Sequence, residues 1–170
     1  MASARAIAPI ALAACASLMG CGNGSGDDAH LDASALPRTL RAGVIRAVDG
    51  DTALVRIDGH AEYVRYIGVD TPETVKPGVP VQCGGPRASA YDHRTVDGHT
   101  VRLTFDRERR DDYGRLLAYV HARGRFVNAD LVRRGLARPL PYPPNTSHAG
   151  LFARLAHRAG RLGRGLWGRC

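Results

Sequence analysis

Lysine is almost absent from this chain. Lys76 stands alone among 24 basic residues, which face 16 acids and leave a formal net charge of +8. The basic side therefore acts through arginine, whose planar fork of donors matches phosphate oxygens, and not through point charges. Such an excess directs attention to a polyanionic partner, nucleic acid or an anionic membrane surface. Arginine usage driven by a GC-rich genome would give the same composition. A membrane-spanning run is absent too. The longest apolar stretch, "AIAPIALAACASLM" at 6–19, falls short of the roughly 20 residues a spanning helix needs. Internal repeats are missing, which excludes a solenoid or propeller. The seven histidines show no ligand spacing, so no zinc site is expected. Cysteine is scarce, with four in 170 residues.

The short apolar stretch follows Arg5 and ends in "LMGC", which places Cys21 after small or apolar residues. Residues 1–20 thus read as a lipoprotein-type signal peptide, with Cys21 as the lipidation site. "LAAC" at 12–15 fits the same pattern but would leave a very short hydrophobic region, and an ordinary secretory signal cut near Gly20 is the other reading. An exported protein is expected, either a cell-surface lipoprotein or a secreted one. Residues 21–40, rich in Gly, Ser, Asp and Ala, read as a flexible linker, and the domain is expected over 41–170. Beyond the leader, Cys83 and Cys170 form a single pair in an oxidising compartment and are expected to be disulfide-bonded. Pairing of Cys170 with another chain, or two free thiols, is the alternative.

From Arg41 the pattern alternates apolar and polar residues. Strands are predicted near 42–48, 52–57 and 62–69, joined by Asp-Gly turns, and again over 99–106 and 115–122. "GGPRASAYDHRTVDG" reads as a helix opened by Pro86 and closed by Gly98, and "FVNADLVRRGLA" as a helix closed by Gly135. A third helix carries Leu151, Leu155, Ala159 and Leu162 at helical spacing. The expected class is α+β, mainly β: a five-stranded OB-type barrel with about three helices.

Three segments carry the chemistry: "VDGDT" at 48–52, "VRYIGVDTPET" at 64–74 and "RRDDYGRLLAYV" at 109–120. Asp51 and Asp70 offer carboxylates, and Thr71 a backbone carbonyl held still by Pro72; hard cations take such oxygen ligands. Taken singly, Asp51 also fits a turn residue and Asp70 a cap. Asp49 belongs to the turn or supports the ligands from behind. Glu73 lies just past that turn, and Arg65 and Arg115 supply guanidinium forks suited to a charged phosphorane. Strict alternation puts Arg65 and Asp70 on opposite faces of one strand, unless a bulge near Gly68 intervenes.

In order and spacing these segments, with "GPRASAY", "VNADLVRRGLA", "PPNTSH" and "GLW", resemble the thermonuclease (staphylococcal nuclease) family over residues 41–168. The resemblance implies a Ca²⁺-dependent endonuclease acting on DNA and RNA, single-stranded or frayed substrates being favoured, with a monomeric chain expected. It implies metal ligation by Asp51, Asp70 and Thr71, and catalytic roles for Arg65, Glu73 and Arg115. It places Asp111 and Tyr113 near the terminal phosphate and Tyr142 against the base. Two departures bear on binding: Leu140 stands where the family often has a second tyrosine, and the loop "TVKPGVPVQCGG" is less basic. The alternative is a non-catalytic OB-fold lipoprotein that grips nucleic acid; the presence of all five acids and arginines argues against it.

Overall fold

The computed structural model describes residues 31–168 and Cys170. The expected signal peptide and Cys21 lie outside the described residues. Eight strands and three helices follow in the order β1 (Thr39–Ala47), β2 (Thr52–Ile57), β3 (His60–Tyr66), β4 (Val69–Asp70), α1 (Gly85–Val96), β5 (Thr100–Thr104), β6 (Leu116–Ala122), β7 (Arg125–Phe126), α2 (Val127–Arg133), β8 (Arg138–Pro139) and α3 (Ala149–Arg161).

The alternation in the first hairpins decides the barrel. β1 pairs antiparallel with β2, and β2 with β3, the latter through a turn whose residues Asp58 and Gly59 have φ of 48° and 90°. Positive φ at both positions suits the twist of a two-residue hairpin, which explains the Asp-Gly pair. β1 also pairs with β5, and β5 with β6. Parallel pairing of β3 with β6 then closes five strands on themselves. A register shift between Val44 and Arg46 lets β1 bend into both halves of the closure. The expected mainly-β barrel with three helices is the one observed.

Inside sit Val55, Val64, Tyr66, Leu103, Leu116 and Val120. Almost every residue of β6 is buried, because α2 covers the face turned away from the barrel. Asn128, buried in α2, accepts from the Val120 amide at 2.9 Å and donates to the Ile67 carbonyl at 2.9 Å. One side chain thus pins the helix between β6 and the turn after β3.

Three sequence expectations are revised. First, β1 begins at Thr39, and residues 31–38 lie against the barrel, although their composition resembles the linker before them. Glu62, buried on β3, accepts from the Leu31 amide and is gripped at both oxygens by Arg110, at 2.9 Å each. Arg109 donates to the carbonyls of Ala33 and Leu36. Glu62 shares strand parity with Val64 and Tyr66, so its inward direction is written in the alternation. Second, the single strand read over 62–69 is two strands, β3 and β4, parted by a turn at Ile67–Gly68. Third, α3 buries Phe152, Ala156 and Ala159, with Leu162 53% exposed. Leu151 and Leu155 are partly buried against the core and Ala159 is buried, as their spacing implies, while Phe152, whose ring fills the space over Gly68, is the core residue that spacing left out.

Candidate active site

The turn after β3 builds the site. Gly68 has φ of 78°, a conformation costly for any residue with a Cβ. It breaks the strand's alternation, so β4 restarts with Asp70 on the side of Arg65. The conflict between these two positions is thereby resolved. Arg65 uses Nη1 to donate to the carbonyls of Tyr66 at 2.9 Å and Val69 at 2.8 Å, which locks its fork across the turn. Nη2 then lies 3.4 Å from Asp51 Oδ2 and 3.3 Å from Asp70 Oδ1. Two acids from separate elements meet at one guanidinium nitrogen.

Asp51 is only 4% exposed. Its Oδ2 accepts from the Thr71 amide at 2.7 Å and the Thr71 hydroxyl at 3.0 Å, and Asp49 Oδ1 accepts from the Asp51 amide at 2.9 Å. Burial pushes its carboxyl up to about 6, and nearby Asp49 adds to the rise, against the lowering effects of Arg65 and Thr71. Burial is the main cause of the rise, and Arg65 and Thr71 only partly offset it. No group of three or more His, Cys, Asp or Glu side chains suited to a metal occurs among the described residues. The oxygen set of Asp51, the more exposed Asp70 and the Thr71 carbonyl fits a hard cation that completes its shell with water and substrate.

Glu73 follows Pro72. Its Oε1 accepts three consecutive amides, from Thr74 at 2.8 Å, Val75 at 2.9 Å and Lys76 at 3.0 Å. Those bonds, the Val75 amide first, hold its carboxyl below the usual glutamate range. Glu73 is thus an anion fixed in direction. Its own amide donates to Gln82 Oε1 at 3.0 Å, and its carbonyl accepts from the Gln82 amide at 2.9 Å, so the loop 74–84 folds back on it. Gly85 opens α1 against this turn; a Cβ there would lie 3.0 Å from the carbonyl oxygens of Pro72 and Glu73.

Arg115 enters from the start of β6. Its Nε and Nη2 each lie 2.7 Å from Asp111 Oδ2, while Asp111 Oδ1 accepts the amides of Tyr113 and Arg115. The Asp111 carboxylate is 5% exposed, which makes it the holder of Arg115 more than a surface for ligand. Tyr113 is 84% exposed and its ring lies 5.4 Å from the Arg115 guanidinium carbon. Asp49, Asp51, Arg65, Asp70, Glu73 and Arg115 line one cleft of about 200 Å³. Beside it, Arg65 and Arg115 also border a hollow of about 140 Å³ with Leu140 and Tyr142 on its rim. The loop bearing Tyr142 is tied to the Arg115 side by Asn145, whose Oδ1 accepts the amides of Arg107 and Glu108. Every catalytic and ligand position expected from the sequence therefore meets in one place, and Tyr142 lies next to it. Thr71 differs in emphasis: its amide and hydroxyl organise Asp51. Asp49 contributes electrostatically as well as to the turn.

Fold and site define a class: a closed small barrel whose rim holds an acid cluster facing two arginines, the layout of a hydrolase for phosphate esters. The sequence profile described as Staphylococcal nuclease homologue matches residues 63–169. The chain is similar to the "Thermonuclease" of Staphylococcus intermedius, 44% identical over 126 residues, 74% of this chain and 75% of that one. The "Thermonuclease" of Staphylococcus hyicus is 43% identical over 124 residues, 73% of each. "Endonuclease YncB" of Bacillus subtilis is 47% identical over 109 residues, 63% of this chain and 52% of that protein. The chain belongs to the staphylococcal nuclease family and is a nuclease, a hydrolase acting on nucleic acid.

Proposed function

We propose that this nuclease is exported and cuts phosphodiester bonds of DNA and RNA with Ca²⁺ as cofactor. The observation that carries the reading is the cleft itself: Asp51 and Asp70 converge on Arg65, with Glu73 and Arg115 lining the same space. Asp51, Asp70 and the Thr71 carbonyl would hold the ion, which when bound supplies Lewis-acid polarisation of the phosphate. Arg115, aligned by Asp111, presents its remaining donors to the equatorial oxygens on which charge builds. Arg65, fixed by two carbonyls and lining the same cleft, would offer its guanidinium to the same phosphate. Glu73 is better suited to orient the attacking water than to keep a proton, since its carboxyl is held low. Its second oxygen, Oε2, would accept the water's hydrogen bond.

The small hollow at Tyr142 and Leu140 has room for one unpaired base, which supports single-stranded or frayed substrates. Export draws on the leader-like residues 6–19 and on the Cys83–Cys170 bond, which suits an oxidising compartment. No helix among the described residues is long and apolar enough to cross a membrane. Lipid on Cys21 would attach the chain to a membrane.

The test is incubation of the purified chain with single-stranded DNA or RNA, with Ca²⁺ or with chelator. Cleavage with Ca²⁺ that chelator abolishes is expected. Binding without cleavage would replace this reading with the non-catalytic one.

A further inference from the structure

A second basic surface lies apart from the cleft. α1, the β6–β7 turn, α2 and the segment after α3 surround a groove of about 1090 Å³ that shares no lining residue with the active-site cleft. Arg87, Arg94, Arg125, Arg133, Arg134 and Arg164 line it, and Arg123 joins Arg94, Arg125 and Arg134 around its continuation. All seven are exposed. Only one carboxylate, Asp130, faces them, although the chain holds 16 acids. A codon-driven excess of arginine would scatter over the surface and find acids nearby; this one is concentrated in a concavity and left in excess.

The forks are also arranged. Asp130, 8% exposed, pairs with Arg133 and lies 3.7 Å from Arg125 Nη1, and it accepts from the Tyr91 hydroxyl at 3.2 Å. Arg134 lies over the Tyr91 ring at 5.0 Å. One buried carboxylate therefore lies against two guanidiniums, Arg125 and Arg133, and the Tyr91 ring positions a third, Arg134. Arg123 sits at a hairpin tip with φ of 51°, followed by Gly124 at 75°, so the turn lifts it into the groove's mouth. The guanidinium groups of Arg87, Arg94 and Arg123 make no hydrogen bond or ion pair among the described residues.

We propose that this groove binds the sugar–phosphate backbone of a polynucleotide away from the bond being cut. The choice of ligand depends on the nuclease reading; the site itself does not. Forks matched to phosphate oxygens, with Asp130 as the single carboxylate in the lining, favour contacts to the sugar–phosphate backbone, which carry affinity without reading sequence. A concave surface suits a strand better than a flat lipid face. α1 links the two regions, since Gly85 packs on the Pro72–Glu73 turn and Arg87, Tyr91 and Arg94 follow along the same helix. A long strand held in the groove would stay on the enzyme between cuts.

The test uses the full chain carrying Arg87→Gln, Arg94→Gln and Arg123→Gln together, none of which belongs to the catalytic cleft. Binding of a 40-nucleotide single strand is measured by fluorescence anisotropy in chelator, across salt. Affinity is expected to fall roughly tenfold or more, and the salt slope to shrink by about 2, the contribution of three lost phosphate contacts on a single strand. With Ca²⁺, turnover of a dinucleotide should be unchanged while KM for the long strand rises. Unchanged affinity and slope would overturn the proposal, as would an equal loss on dinucleotide and long strand. Selective loss of binding to phosphatidylglycerol vesicles, with strand binding intact, would assign the groove to membrane instead. If neither protein cuts, a drop in strand affinity still supports the groove while removing the nuclease reading.

Discussion

Arg115 and Arg65 differ in how they are held, and their substitutions should differ accordingly. Arg115 is oriented by a carboxylate, Arg65 by backbone carbonyls and two acids. Replacing either by Ala is expected to lower kcat by roughly a hundredfold or more, the scale of losing one charge-stabilising donor. Lys at 115 should restore only part, because a point charge replaces a fork; full rescue in single-turnover assays would mean that the arginine acts through long-range charge alone. A second prediction concerns Asp92. It is buried and accepts the Tyr66 hydroxyl at 3.0 Å, and burial raises its carboxyl well above the usual range. In the unfolded chain it titrates near pH 4. Between that value and the raised one the folded state binds more protons, so stability falls as pH rises. Asp92→Asn removes that loss and keeps an acceptor for Tyr66. Its melting temperature relative to the parent should climb from pH 4 to 8, about 2–4 °C for each 1 kcal/mol in a chain of this size. A difference that stays flat across that range would show that Asp92 is ionised throughout.

Among the elements, the β3–turn–β4 unit governs the site, and Gly68 governs the unit. A Cβ at Gly68 would lie 2.7 Å from the Phe152 ring, on backbone with φ of 78°. Gly98 offers a control: its φ is 67° but nothing lies within 4 Å of an added Cβ. Gly98→Ala should cost about 1 kcal/mol for backbone alone, and Gly68→Ala about 1–3 kcal/mol more for the packing conflict with α3. Urea unfolding of both decides it, and equal costs would mean that Phe152 yields freely. Activity should fall with Gly68→Ala alone, because β4 carries Asp70. The same unit shows what a sequence can tell. The hairpins β1–β3 are legible because their alternation is long and their Asp-Gly turns have a mechanism. β4, β7 and β8 have two residues each, too few to display a period, so β4 merges with β3 in a linear reading. The residues of the cleft are legible because their types and spacing match a family. What stays hidden is how they are held: the three amides on Glu73, the burial of Asp111, and the clamp of Glu62 and Arg110 on Leu31 all arise from segments brought together only by folding. The arginine groove is of the same kind, since its seven contributors span 87–164.

At the scale of the whole molecule, one bond joins the middle of the chain to its end. Cys83 and Cys170 are linked, with their Cα atoms 5.8 Å apart and a sequence separation of 87. Cys83 closes the loop that folds back on Glu73. On the other side, Leu166 packs on Gly84, and Trp167 lies 4.9 Å from the guanidinium carbon of Arg138, the β8 residue paired with Asp70. The tail therefore braces both the Glu73 loop and the β4–β8 layer without reaching the cleft. A loop of this length gives about 4 kcal/mol in the chain-entropy model, and real bridges often deliver less. Reduction, or Cys83→Ser with Cys170→Ser, is expected to lower the melting temperature by roughly 5–15 °C. Below that temperature kcat should hold, since the acids and arginines keep their barrel supports, while proteolysis should first open the loop 74–84. Mass measurement after alkylation checks the bond directly. Alkyl groups found on both Cys83 and Cys170 of a monomer before any reductant is added would rule it out, and a reductant-sensitive dimer would place the pairing between chains. A large drop in kcat at temperatures where the reduced protein is folded would show instead that the brace sets the position of Glu73.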